Sequence, residues 1–387
     1  MNVAYNALSL RPGTVGGAAT FTLNLLARLP AELPEARFTV YVREGEDRIE
    51  DNARLTLKRV NGVGSAPIRI LVETIALGYA LRRRQPSVLL SPNESIPMWL
   101  PCPTVVVAQN LVYHGTESSF LGGTFRQRLS ARAQLRYYRS AAARAYRNAA
   151  AVIAVTNETA RVLTERAGLD PLKTKVVFEG SDSILLPAVS APALRGDRIL
   201  VVSTFAPYKG LEQTLEIFRM LNERAQTLEL LLVGADWNGY REVIERRVSE
   251  LGLQHAVHFQ APAEGLELAE LYATSRLLLL LSECESFGLP VLEAMSRGLP
   301  VVVSDRSSLP EVAGGAALVV DPGNPVRAAD AIGSLLDSQP SMGDYARQGL
   351  VRSAELTWQQ TAEGIAEVLK EVAAVDRSRR APKQVAI

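Results

Sequence analysis

Ser-Glu-Cys-Glu-Ser-Phe-Gly-Leu-Pro-Val-Leu-Glu-Ala-Met-Ser-Arg-Gly-Leu-Pro-Val, residues 282–301, follows a run of five leucines at 277–281. The leucine run reads as a strand buried on both faces. The quoted segment opens a helix near Gly288, and a further apolar strand follows at 301–304. The first-turn amides of such a helix lack backbone partners, and with the macrodipole they suit an anion such as phosphate. Glu285 stands just before the helix and Glu293 inside it, eight positions later. A carboxylate accepts two sugar hydroxyls at once, so the pair can hold a ribose and a second sugar. The same residues also read as a solvated helix carrying two surface acids.

Outward from this segment the same alternation repeats. After the first half the spacing predicts strands at 199–203, 228–233 and 257–259, with helices at 211–225, 240–251, 266–274 and 289–297. Before it come strands at 3–5, 38–42, 88–90, 104–108, 151–155 and 175–178, with helices at 18–29, 68–84, 124–148 and 158–167. Thr156 or Asn157 suits the N-cap of the last of these. Continuous apolar strands alternating with helices predict an α/β fold of two doubly wound, Rossmann-like domains, with a cleft between them as the default ligand site. Pro187, Ala188, Ser190, Ala191 and Pro192 mark a linker. The expected domains are 1–182, a linker at 183–197, 198–355, and a helix with a basic tail at 356–387 that can pack on either domain.

Composition narrows the function. The chain has 387 residues, 42 Lys+Arg against 41 Asp+Glu, a net charge of +1, and is 47% hydrophobic and 21% charged. That is the profile of a folded chain, with no global charge to argue for nucleic acid. Cys102 and Cys284 are the two cysteines and there are three histidines, so neither a disulfide scaffold nor a multi-His metal centre is expected. No apolar run reaches the length of a membrane span, and no signal peptide is expected. The expected location is the cytoplasm, or the inner face of a membrane.

Glu285-x7-Glu293, with Ser286-Phe287-Gly288 and Glu293-Ala294-Met295, resembles the donor-site motif of the family 4 retaining glycosyltransferases of the GT-B fold. Gly298-Leu299-Pro300-Val301-Val302, Leu309-Pro310-Glu311-Val312 and the stretch from Ala317 to Pro322 extend the resemblance over nearly all of the C-terminal half. It implies a hexosyltransferase that takes a nucleoside-diphosphate sugar to a hydroxyl acceptor with retention, in glycan or glycolipid assembly at a bacterial surface. No metal and no further cofactor are implied. Glu285 would hold donor-sugar hydroxyls and Glu293 the nucleoside ribose, with Phe287, Gly288 and Leu289 lining the donor site.

Lys209, after a strand end in Ser203-Thr204-Phe205-Ala206-Pro207-Tyr208-Lys209-Gly210, can reach a diphosphate as a point charge. The resemblance gives it that role. Thr204 stands where many members carry an Arg. Gly16-Gly17 allows close backbone approach, and in the family this loop lies over the diphosphate. Gln109 and Asn110 end the strand at 104–108 where members often place a His-Asp pair. They can bond sugar hydroxyls but cannot act as a base, and His114 does not substitute. His255 and His258 read as peripheral.

Residues 118–157 hold seven arginines and no acid. Arg128, Arg132, Arg136 and Arg139 share one helix face, suited to anionic lipid or a lipid-diphosphate acceptor, or simply to solvent. Two other classes fit the fold: a further enzyme of the same architecture, an epimerase or a phosphorylase, and a noncatalytic sugar-nucleotide-binding subunit. Donor base, sugar, acceptor and oligomeric state are not readable from the sequence.

Overall fold

The structure is a computed structural model, and it describes residues 1–14, 16–63, 66–114, 125–181 and 196–380. The linker expected at 183–197 falls almost wholly outside these residues, as do the side chains of Arg126 and Arg128 and the end of the basic tail.

Two compact units divide the chain. One comprises Met1–Asn110, Tyr137–Phe178 and Trp358–Ile387, and the other Leu111–Arg136 and Glu179–Thr357. In the first, strands β1 (Asn2–Asn6), β2 (Arg37–Arg43), β3 (Leu55–Val60), β4 (Val88–Ser91), β5 (Thr104–Ala108), β6 (Ala151–Ala154) and β7 (Thr174–Val176) form a seven-stranded sheet. Its order is β3-β2-β1-β4-β5-β6-β7, with every pair parallel. Between strands run α1 (Gly17–Glu32), α2 (Ala66–Leu71), α3 (Leu77–Arg84), α4 (Phe125–Asn148), of which the part from Tyr137 belongs to this unit, and α5 (Asn157–Ala167). Thr156 caps α5, its side chain accepting from the Thr159 N–H, and Gly168 ends it in the left-handed region.

The second unit has β8 (Arg198–Val202), β9 (Glu229–Val233), β10 (Val257–Gln260), β11 (Leu277–Leu280), β12 (Val301–Ser304) and β13 (Leu318–Val320), in the order β10-β9-β8-β11-β12-β13, again parallel. Its helices are α6 (Leu211–Arg224), α7 (Tyr240–Glu250), α8 (Gly265–Thr274), α9 (Leu289–Met295), α10 (Leu309–Ala313), α11 (Pro325–Asp337) and α12 (Gln339–Glu355). The last helix, α13 (Trp358–Arg380), belongs to the first unit, where Trp358 packs edge-on against Phe21 of α1 at 5.9 Å.

The central strands are buried throughout: Val105 to Ala108 in one sheet and Leu277 to Leu280 in the other. Helices cover both faces, so an apolar residue is needed at every position rather than every second one. In each sheet the order reverses once, between β1 and β4 and between β8 and β11. Ligands of doubly wound folds sit beyond the strand ends at such a reversal.

Three differences from the sequence expectation have local causes. The helix expected at 68–84 is interrupted by a π-helical turn, Val72–Ala76, which carries the buried Glu73. Edge strand β3 was not expected: Leu55 and Leu57 alternate with polar residues in a short run. The elements α10, β13, α11 and α12 lie where no strong apolar period led to an assignment. Among the described residues, no helix is long and apolar enough to cross a membrane.

Candidate active site

In the second unit the polypeptide leaves β8, turns through Pro207–Lys209 and enters α6 at Gly210. Gly210 has φ +65°, and a Cβ there would lie 2.1 Å from the Leu281 carbonyl oxygen. Only glycine lets this turn press against the end of β11. The approach delivers Lys209 to Glu285: Lys209 Nζ donates to Glu285 Oε1 at 2.6 Å, and Ser282 Oγ donates to the same oxygen at 2.8 Å. The two side chains are 14% and 13% exposed. Ser307 pins the Glu285 backbone, accepting from its N–H at 3.0 Å and donating to its carbonyl at 2.6 Å. Burial disfavours the Lys209 ammonium, but the Glu285 carboxylate outweighs it and the Lys209 pKa is raised. Lys209 therefore stays charged. Thr204 is half-buried just past β8.

Gly288 precedes α9 with φ +99°, and a Cβ there would meet Leu309 Cδ2 at 2.7 Å. The first turn offers fewer donors than the sequence suggested. Pro290 has no N–H, and the Val291 N–H bonds to the Gly288 carbonyl at 2.9 Å. The amides of Gly288 and Leu289 are the remaining candidates in that turn. The Phe287 and Leu289 side chains are buried, so their part in a site falls to the main chain. Glu293 accepts from Tyr272 OH at 2.8 Å through Oε2. Burial raises the Glu293 pKa, and this bond lowers it by less.

In the first unit Gly16 has φ 140° and ψ 169°, a region essentially reserved for glycine. A Cβ there would meet nothing within 4 Å, so conformation rather than space requires the glycine. Gly17 begins α1. Arg48 ties down the preceding loop, donating to the carbonyls of Thr14 at 2.9 Å and Arg11 at 3.0 Å. The buried Glu46 holds Arg48 in turn.

Gln109 and Asn110 follow β5, and their backbone N–H groups both donate to Glu94 Oε1 at 3.1 Å. Asn110 Nδ2 donates to Glu94 Oε2 at 2.6 Å. His114 is buried, whereas His255 and His258 are exposed. On α4, Arg132 and Arg136 are exposed and Arg139 is half-buried.

Sequence reasoning missed Ser282, Ser307, Tyr272, Arg48 and Glu94. Ser282 lies inside the quoted segment and was legible as a hydroxyl beside Glu285. The others come from distant stretches with no motif of their own.

Residues 15–183 match the family described as Glycosyltransferase Family 4, and residues 186–352 match Glycosyl transferases group 1. The D-inositol 3-phosphate glycosyltransferase of Acidothermus cellulolyticus is 32% identical over 251 residues, 59% of this chain and 55% of that protein. The O-antigen chain mannosyltransferase B of Escherichia coli is 35% identical over 164 residues, 41% of this chain and 42% of that one. Among solved structures, Anabaena HepE in complex with UDP and glucose has a TM-score of 0.69 at 18% identity, covering 96% of this chain and 100% of that one. Two parallel doubly wound sheets with this motif define a GT-B glycosyltransferase. The chain belongs to glycosyltransferase family 4. The chain spans about half the length of the curated relatives it matches.

Proposed function

We propose that this protein transfers a hexose from a nucleoside-diphosphate sugar to a hydroxyl acceptor with retention of anomeric configuration, in the assembly of a bacterial glycan or glycolipid. The observation that carries the reading is the Lys209–Glu285 contact. It joins residues 76 positions apart at the strand-order reversal of the second unit. A sugar nucleotide presents a diphosphate to a cation and hydroxyls to a carboxylate, and this pair offers both side by side. On binding, the diphosphate replaces Glu285 as the partner of Lys209, and the freed carboxylate turns to the sugar. Lys209 then stabilises charge growing on the leaving diphosphate, with the Gly288 and Leu289 amides adding donors. Glu293 takes the ribose. The glycosyltransferase relatives and the HepE complex with UDP and glucose support a nucleotide-sugar donor.

Glu285→Ala tests the assignment. Turnover should fall by about 10²-fold or more, the order of one lost transition-state contact. UDP or GDP should still raise the melting temperature of the variant, because Lys209 is intact. Near-normal turnover in a folded Glu285→Ala protein would sink the reading.

A further inference from the structure

Glu94 is a buried acid, 6% exposed, that the sequence motifs do not predict. It sits in the turn after β4, which hydrogen bonds brace. Asn93 Oδ1 accepts from the Ser95 N–H at 2.9 Å, Ser91 Oγ donates to the Ser95 carbonyl at 2.9 Å, and Asn6 Nδ2 donates to Ser91 Oγ at 3.2 Å. From this frame Glu94 takes three N–H donors of the Gln109–Asn110 turn, and Tyr146 OH approaches Oε1 at 3.4 Å. Both carboxylate oxygens are thereby used on these two residues. An Asp at position 110 would face Glu94 at the place of the 2.6 Å contact. Two buried carboxylates so close cannot both ionise. An Asp at position 110 would therefore leave one of the two acids protonated and the turn with one hydrogen bond fewer to the Glu94 carboxylate.

We propose that Glu94 is the positioning residue of the Gln109–Asn110 turn, its two carboxylate oxygens fixing both backbone N–H groups and the Asn110 amide. The inference rests on the proposed glycosyl transfer, with Gln109 read as a group that bonds a sugar hydroxyl. Burial raises the Glu94 pKa and its hydrogen bonds oppose that rise, so the carboxylate is held by the turn it organises.

The test uses Glu94→Ala, Asn110→Asp and the exchanged pair Glu94→Gln with Asn110→Asp. Release of nucleoside diphosphate from UDP-glucose and GDP-mannose measures turnover, and hydrogen–deuterium exchange of peptides covering 105–112 measures the turn. Glu94→Ala should lower kcat by about 10²-fold with the donor KM within about threefold, since misplacement costs turnover more than binding. Exchange in 105–112 should rise about tenfold while other peptides stay protected. Asn110→Asp should be impaired, because it sets a second acid against Glu94. The exchanged pair should return to within about fivefold of the parent protein.

A fully active Asn110→Asp protein, or an exchanged pair no better than the single variants, would overturn the proposal. Full turnover in Gln109→Ala would instead remove the reading of Gln109, while the exchange data still decide what holds the turn. If neither donor is hydrolysed, unchanged protection of 105–112 in Glu94→Ala is enough to reject it.

Discussion

Glu285 and Glu293, eight positions apart in one motif, end in different surroundings. Glu285 meets a lysine and a serine hydroxyl, and Glu293 meets a tyrosine hydroxyl. Burial raises the Glu293 pKa above the ordinary carboxylate value. The folded protein thus holds this proton more tightly than the unfolded one does. The charged carboxylate therefore costs stability above the raised pKa, and the cost disappears below the ordinary one. Glu293→Gln keeps an acceptor for Tyr272 and removes the charge. It should raise the melting temperature at pH 8, with the gain shrinking as pH falls through that window, while weakening sugar-nucleotide binding. A melting temperature unchanged at pH 8 would show that burial of this carboxylate carries no cost. Residue type and spacing marked both acids as candidates for sugar hydroxyls. Their separate electrostatics were not legible, because Tyr272 and Lys209 come from other elements.

At the scale of the element, α4 shows how a sequence pattern divides once it is folded. Arg144 donates to the carbonyls of Ile96 at 2.7 Å and Pro97 at 2.8 Å, so it serves the structure of the first unit. Arg132 and Arg136 are exposed and remain available for the anionic surface expected of this helix. Each basic residue near anionic lipid contributes about 1 kcal/mol at low salt. Replacing Arg132 and Arg136 by Gln should therefore weaken sedimentation with anionic vesicles by about 30-fold, two such contributions together. Equal binding of the variant, or no binding by the parent protein, would remove lipid from its partners. Elements with strong apolar periods, such as β5, β11 and α6, were legible. The edge strand β3 and the π-helical turn at Val72–Ala76 were not. An edge strand is half solvated, and a π turn differs from an α-helix by one residue of register.

Across the whole molecule, the chain finishes in the unit where it began. Helix α13 packs beside α1, Thr361 Oγ donates to the Phe178 carbonyl at 2.9 Å, and Trp358, Ile365 and Leu369 are buried. Trp358→Ala should cost about 3–5 kcal/mol, the usual range for a buried tryptophan. The measurement is equilibrium denaturation, and a loss below about 1 kcal/mol would mean that α13 is an accessory to the first unit. The sequence alone determined the alternation of buried strands and helices, hence the parallel sheets, and the family to which the segment 282–301 points. Burial and turn preference are written in each element's own composition. Only the tertiary structure decided that Lys209 meets Glu285, that Glu94 holds Gln109 and Asn110, and that the last helix joins the first unit. Each of these joins residues distant in sequence, and local periodicity records that a side chain is buried without recording which partner buries it.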